Sequence, residues 1–394
     1  MSPHSDGRTR VLFINSADRI GADTAMHLLL LRSLPRERFQ LYAASQPGSP
    51  APAYDELRSI PDVTIRPTYF GPTLWQQSKL QKLASARNLV PMATSLLGLA
   101  AYIRRERIEI IHSTDRPRDA LSCVMLSALT GAKSVIHAHV NFGEWMRRGV
   151  KWSFARADAL VAVSRFSAET FVEAGYPPER VHAVLNAIEL SRWDPTLDPA
   201  VGRASLGVPE GVPLIISVAR LFPSKGNREL LRAFAGVQRE LPNARLAIIG
   251  ADYPEGSGET LHLKQLAQEL GVENSVSFPG SRSDIASLLA ACDVFALPSF
   301  GEPFGLVYLE AMTMKRPAVA LSYGGAVEVV EDGECGLISP PGDIDALSAN
   351  LLRLLRDQAL RQRFGEHGRK RAAAHFTPAR MAADVADLYA RLLA

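Results

Sequence analysis

A two-domain α/β protein built on parallel sheets is the fold class predicted for this chain, and three observations predict it. Short apolar, strand-like runs alternate with helical periods, which argues for parallel sheets covered by helices rather than a β-sandwich. The alternation occurs twice. The chain has 394 residues, too many for one ordinary core and suited to two domains.

In the first half the apolar runs are Val11–Asn15, Ile108–His112, Ser134–His139, Ala159–Val163 and Val181–Leu185. In the second they are Leu214–Val218, Leu246–Ile249, Val276–Phe278, Val294–Leu297 and Ala318–Leu321. Between the halves, Ser191–Pro199 and Glu210–Pro213 are rich in Pro and Asp, with a short helical piece around Val201 to Leu206. The linker is placed there, giving an N-terminal domain of 1–192 and a second of 193–375. A last amphipathic stretch, about Pro378 to Leu393, reads as a helix. No short repeat is visible, which argues against a solenoid.

Composition narrows the function classes. A net charge of +3 is small for this length and gives no argument for nucleic acid. Arg104, Arg105 and Arg107 read as a solvated helix end. Cys123, Cys292 and Cys335 are far apart and form neither a disulfide framework nor a metal spacing, so a reducing cytoplasm is the expected compartment. The first ten residues are polar and lack the apolar run of a secretory signal. Leu89 to Ile103 is the most apolar segment, yet it contains Pro91, Thr94 and Ser95 and falls short of the roughly 20 apolar residues that span a bilayer. It reads as a buried helix, with weak membrane-surface contact as the second reading.

The richest segment is Ser299–Met312. Asp293–Pro298 reads as a buried strand stopped by Pro298, and Gly305 onward as the following helix. Glu302 then lies on the loop and Glu310 in the helix. Such a turn, with glycine and unpaired helix-start N–H groups, can hold a phosphate or a sugar hydroxyl. Taken alone, the two glutamates are ordinary and better explained as a helix-start charge and a solvated face. Upstream, Arg220 and Lys225 follow a predicted strand, and Lys225-Gly226-Asn227 opens a helix, so two cations and helix-start N–H groups can converge on phosphate. A solvated basic loop is the bland reading. His137 and His139 share one face of a strand; an isolated histidine is more often a packed core or rim residue.

Glu302 and Glu310, with Pro-Phe-Gly between them, resemble the E-x7-E motif of retaining glycosyltransferases of family 4, which have the GT-B fold. Pro317–Asp343 is similar to that family's next strand, glycine turn and closing strand, and Ile216–Gly226 to its strand and basic loop. The similarity spans nearly the whole chain. It implies two Rossmann-like domains with the carboxyl ends of their sheets around one cleft, and a C-terminal stretch, 376–394, that crosses back onto the first domain. It further implies that Arg220 and Lys225 hold the donor diphosphate and that Glu310 binds the ribose hydroxyls. Glu302 would face the donor sugar, with the backbone of Phe304, Gly305 and Leu306 beside the sugar hydroxyls and phosphate. His139 is expected as a hydrogen-bond partner of the sugar, Arg282 as a nucleobase contact, and Gly21 as a close backbone approach to phosphate or acceptor.

The expected activity is retaining transfer of a sugar from a nucleoside-diphosphate sugar, most often UDP-linked in this family, to a hydroxyl acceptor. That acceptor is a small molecule, a lipid-linked sugar or a glycan. No cofactor is expected beyond the donor as cosubstrate. Two other classes stay open: a GT-B-like nucleotide-sugar epimerase, and a non-catalytic nucleotide-sugar-binding subunit. Two segments depart from the family pattern: Ile20-Gly21-Ala22-Asp23 stands where Gly-Gly-Ala-Glu is frequent, and Asn186-Ala187-Ile188-Glu189 where Asn-Gly-Val-Asp is. Asp343-Ile-Asp345 matches the D-x-D pattern that holds a metal in the other major transferase fold. Its position before a helix reads better as an N-cap and first-turn charge, so metal-independent transfer is expected. Asp284 is likewise expected to cap the helix that follows it.

Overall fold

The computed structural model describes residues 7–48, 51–72, 88–143 and 146–394. The chain divides into two compact units, 1–185 together with 378–394, and 186–377.

The first unit is built on a sheet of seven strands: β1 (Thr9–Asn15), β2 (Phe39–Ser45), β3 (Val63–Pro67), β4 (Ile110–Thr114), β5 (Lys133–Ala138), β6 (Ala159–Ala162) and β7 (Val181–Ala183). Their spatial order is β3-β2-β1-β4-β5-β6-β7, and every neighbouring pair is parallel. The strands carrying near-continuous apolar residues, such as Val11-Leu-Phe-Ile, are buried on both faces, as covered parallel sheets require. β3 lies at the sheet edge, largely exposed and ending in Pro67, where a missing N–H does no harm to the ladder.

Helix Pro378–Leu393 packs on helix Ala22–Ser33 of the same unit. It buries Met381, Val385, Leu388 and Tyr389 along one stripe. Helix Leu89–Glu106 corrects the expectation of a buried segment. Only its second half is inside, through Leu99, Ala100, Tyr102 and Ile103, whereas Leu89, Val90 and Leu97 are exposed. Among the described residues no helix is long and apolar enough to cross a membrane.

The second unit holds six parallel strands: β8 (Leu214–Val218), β9 (Arg245–Ile249), β10 (Val276–Gly280), β11 (Val294–Ala296), β12 (Ala318–Leu321) and β13 (Gly336–Ser339). Their order is β10-β9-β8-β11-β12-β13. Its core sets Leu230, Leu231, Phe234 and Val237 of helix Asn227–Glu240 against Leu347, Leu351 and Leu354 of helix Ile344–Arg356. Asp343 caps the latter helix, its carboxylate accepting from Ala346 N at 2.8 Å. The Asp343-x-Asp345 pair is therefore used as a helix start. The expected short helix appears as Pro199–Leu206 and is capped by Asp198.

Both sheets reverse their strand order once, at β1/β4 and at β8/β11. In open parallel sheets the space beyond the carboxyl ends of such strands is where ligands bind.

Candidate functional sites of the two units

In the second unit, the chain leaves β8 through Arg220 and turns back at Lys225-Gly226 into helix Asn227–Glu240. It leaves β11 through Leu297-Pro298-Ser299. These two exits are bonded together: Phe300 N donates to Ser224 O at 2.8 Å, and Ser299 Oγ to the same carbonyl at 3.3 Å. Gly226 makes this approach possible. Its φ is +71°, and a Cβ there would lie 1.8 Å from Pro298 O, so any side chain would part the two loops.

The closed loops place Lys225 Nζ 2.5 Å from Glu302 Oε2, with the two side chains only 12% and 13% exposed. An ion pair so far out of water is held by its mutual charge, and loss of either partner strands the other. The Glu302 carbonyl accepts from Gly325 N at 2.7 Å, fixing the glutamate's backbone against the turn after β12. Beyond it, Gly305 (φ +95°) begins helix Leu306–Thr313 without a side-chain cap. A Cβ on Gly305 would stand 2.3 Å from the Tyr308 ring. That ring is buried, and its hydroxyl donates to Leu297 O at 2.5 Å, tying the helix to the end of β11. Phe304 turns its side chain inward against Phe376, so only its backbone can serve a ligand.

Glu310 sits one turn into the helix, part-buried, with no carboxyl partner among the described residues. Burial pushes its carboxyl up from 4.5 to about 7. A raised acid pKa means the folded state holds the proton more tightly than the unfolded chain does. Its contribution to stability is then fully present below about 4.5 and is lost as pH rises to about 7. Glu310→Gln is therefore expected to flatten the pH dependence of thermal unfolding between those values, which differential scanning calorimetry on both proteins would check. An unchanged slope in the variant would assign the dependence to other groups.

Arg220 is exposed at the end of β8, its guanidinium 4.3 Å from the Tyr253 ring centre. It makes no ion pair among the described residues, and so remains available to an anion. Arg282 lies apart from this group. Asp284 holds it through two hydrogen bonds of 2.8 and 2.5 Å, and Ser205 Oγ accepts a third at 3.3 Å. This corrects the expectation for Asp284, whose carboxylate pairs with Arg282 and makes no cap bond. A two-residue spacing lets arginine compete with the helix start for the same oxygens.

In the first unit, Gly21 precedes helix Ala22–Ser33 in extended backbone. A Cβ on it would lie 2.8 Å from Asp23 Oδ1 and 3.5 Å from an Arg116 nitrogen. Asp23 and Arg116 pair at 2.5 Å. Burial alone would raise the Asp23 carboxyl, but the hydrogen bond and charge of Arg116 hold it below the usual range. Next along the chain from Arg116, Asp115 accepts from His139 N at 3.0 Å. Asp115 is pushed up to about 7, first by burial and then by the negative charge of Asp23. Gly21 and His139 thus meet one connected set of groups at the carboxyl ends of β4 and β5.

His139 does not stand alone. His27 on the first helix, His112 on β4 and His137 on β5 are fully buried beside it, and the His137 and His139 rings stack at 4.4 Å. Burial holds His27 and His139 down to about 3, and His112 and His137 well below their ordinary value. All four are neutral imidazoles at neutral pH. Sequence reasoning singled out neither His27, His112 nor Arg116. Positions 27, 112 and 137 have no common spacing, and only the β1-β4-β5 neighbourhood brings them together.

Residues 28–192 match the family model described as Glycosyltransferase Family 4, and residues 201–371 match that described as Glycosyl transferases group 1. A D-inositol 3-phosphate glycosyltransferase of Salinispora arenicola is 33% identical over 252 residues, 61% of this chain and 56% of that protein. The protein of the same description from Nocardia farcinica is 30% identical over 306 residues, 76% of this chain and 64% of its own length. The matched part of the chain thus spans little more than half the length of such relatives. HepE of Anabaena, solved in complex with UDP and glucose, superposes with a TM-score of 0.78 at 22% identity, covering 97% of this chain and all of that one. Sucrose-phosphate synthase of Thermosynechococcus elongatus gives 0.75 at 22% identity, covering 98% and 99%. At such identities the likeness speaks to fold.

Proposed function

Because the chain belongs to glycosyltransferase family 4 and has the GT-B fold, we propose that it moves a sugar from a nucleoside-diphosphate sugar to a hydroxyl acceptor. The observation that carries this reading is the Lys225–Glu302 pair, held out of water where the sheet order reverses between β8 and β11. As the glycosidic bond breaks, negative charge builds on the departing diphosphate, and fixed cations stabilise it. Lys225 and Arg220 supply that charge in our reading. Lys225 exchanges its glutamate partner for phosphate, and Glu302 is released to accept from sugar hydroxyls. The uncapped start of helix Leu306–Thr313, with the backbone of Phe304 and Gly305, adds N–H groups. Glu310 accepts from the ribose diol.

In the first unit, His139 offers a neutral imidazole nitrogen to a sugar hydroxyl, and Gly21 leaves room for an approaching phosphate or acceptor. Arg282 is proposed at the nucleobase, a role that requires a ligand to share or displace its hold on Asp284. The donor is proposed to be UDP-linked, which fits the UDP in the HepE complex. The curated relatives' description suggests a phosphorylated cyclitol as a first acceptor to try. Transfer is proposed to retain configuration and to need no metal at the diphosphate, in keeping with Asp343 being spent on a helix cap.

Thermal unfolding with UDP, GDP, ADP and dTDP tests the donor. A saturating nucleotide, at about 100 times its dissociation constant, adds roughly 2.7 kcal/mol. UDP is expected to raise the transition selectively, and in EDTA as much as in magnesium. Selective stabilisation by another nucleotide would overturn the UDP assignment, and a UDP shift that appears only with magnesium or manganese would overturn metal independence. Conversion of a UDP-sugar to its epimer without acceptor would move the reading to an epimerase.

A further inference from the structure

We propose that the first unit carries a buried zinc site made by His27, His112 and His137. Geometry is the first argument. The three ring centres lie 5.0, 5.4 and 5.8 Å from one another, and one nitrogen of each ring can be chosen so that all lie within 4.8 Å of each other. With zinc–nitrogen bonds of about 2.0–2.1 Å in tetrahedral geometry, three imidazole centres fall roughly 5 Å apart. The side chains are thus already close to the spacing a zinc ion imposes, and a small inward movement of the nitrogens completes it.

Hydrogen bonding is the second argument. Both ring nitrogens of His27, both of His137, both of neighbouring His139, and Nε2 of His112 are buried without a hydrogen-bond partner among the described residues. A buried polar group left so costs about 1–3 kcal/mol, and native interiors hold only a few of them, seldom gathered at one place. A cluster of several at one place favours an occupant.

The surroundings of His112 add a third observation. His112 Nδ1 lies 2.5 Å from Tyr389 Oη, and both groups are buried. An Nδ1–H donating to the phenol oxygen leaves the Nε2 lone pair directed into the cluster, the arrangement that orients histidine ligands in metal sites. Three protein ligands leave a fourth position open to a water, and His139, stacked on His137 at 4.4 Å, stays outside the ligand set. The zinc holds β4, β5 and the first helix together, and no step of the transfer runs through it. The site departs from the expectation, drawn from the scattered cysteines, that no metal is held by the chain; the transfer itself is still proposed to need none.

The test uses the whole chain. Protein stripped with EDTA is equilibrated with zinc sulfate or cobalt(II) chloride and freed of loose metal by gel filtration. About one zinc per chain is expected by elemental mass spectrometry, and the cobalt form is expected to show the intense visible absorption of tetrahedral cobalt(II). His112→Ala should lose the metal, with circular dichroism reporting its fold. Tyr389→Phe keeps the packed ring and should lower zinc affinity roughly 10- to 100-fold, which carries the test if His112→Ala does not fold. Asp343→Asn should bind zinc as the parent does. Failure to retain zinc together with no cobalt absorption overturns the proposal. So does full zinc affinity in a folded His112→Ala or in Tyr389→Phe.

Discussion

Lys225→Ala is expected to weaken nucleotide binding and sugar transfer together, by roughly 10- to 150-fold, the equivalent of losing one charge-assisted hydrogen bond of about 1.5–3 kcal/mol. Two effects combine. The diphosphate loses a fixed cation, and Glu302 is left as a part-buried carboxylate with its partner gone. They separate in the double variant Lys225→Ala/Glu302→Gln, where the stranded charge is also removed. Thermal stability lost in the single variant should return in the double one, while nucleotide affinity measured by calorimetry should stay low. If Lys225→Ala binds the nucleotide as the parent does, the assignment of the diphosphate to this loop fails. If affinity returns in the double variant, the lysine's contribution is structural, an ion-pair partner rather than a phosphate ligand.

Much of this second-unit site is legible in the sequence because its parts are local. A strand exit, a proline, a glycine and a helix start follow one another within about a dozen residues, and each has its own physical signature. Pairing Lys225 with Glu302 is less legible, since 77 residues separate them. Parallel pairing of β8 and β11 makes them neighbours, and that pairing follows from the strand order of the sheet. The strands the sequence shows least are β2 and β3. Val63-Thr-Ile-Arg-Pro67 alternates and lies exposed at an edge, so it lacks the apolar run that marks β1 or β12. Leu89–Glu106 misleads in the opposite direction, its apolar first half being exposed, because a run of apolar residues records composition and not which face packs.

The first unit shows a deeper limit. His139 is visible as a histidine closing a strand, but its surroundings are not. His27, His112 and Tyr389 come from a helix, a strand and the C-terminal helix, and Arg116 from the loop after β4. Nothing in their order along the chain states that they converge. Asp284 shows how two sound local rules compete: a residue before a helix caps it, and a residue two positions from an arginine pairs with it. The closer charge wins.

Gly226→Ala is expected to have the other large effect, and it separates position from charge because it removes no charged group. At φ +71° an added Cβ costs about 1–3 kcal/mol in backbone strain alone. Here it would also stand 1.8 Å from Pro298 O, a backbone atom that no rotamer change can move aside. The loop must part from the end of β11, breaking the bond from Phe300 N to Ser224 O and drawing Lys225 away from Glu302. Strain of about 3 kcal/mol corresponds to a fall of roughly 6–12 °C in the unfolding temperature of a unit this size. Nucleotide affinity should fall at least as far as in Lys225→Ala, since both the cation and the following helix start are displaced. Asn227→Ala alters the neighbouring side chain without touching the glycine and serves as the comparison. A Gly226→Ala protein that unfolds like the parent and binds nucleotide normally would show that the two loops can separate at no cost, and the close approach of β8 and β11 exits would then have no part in placing Lys225.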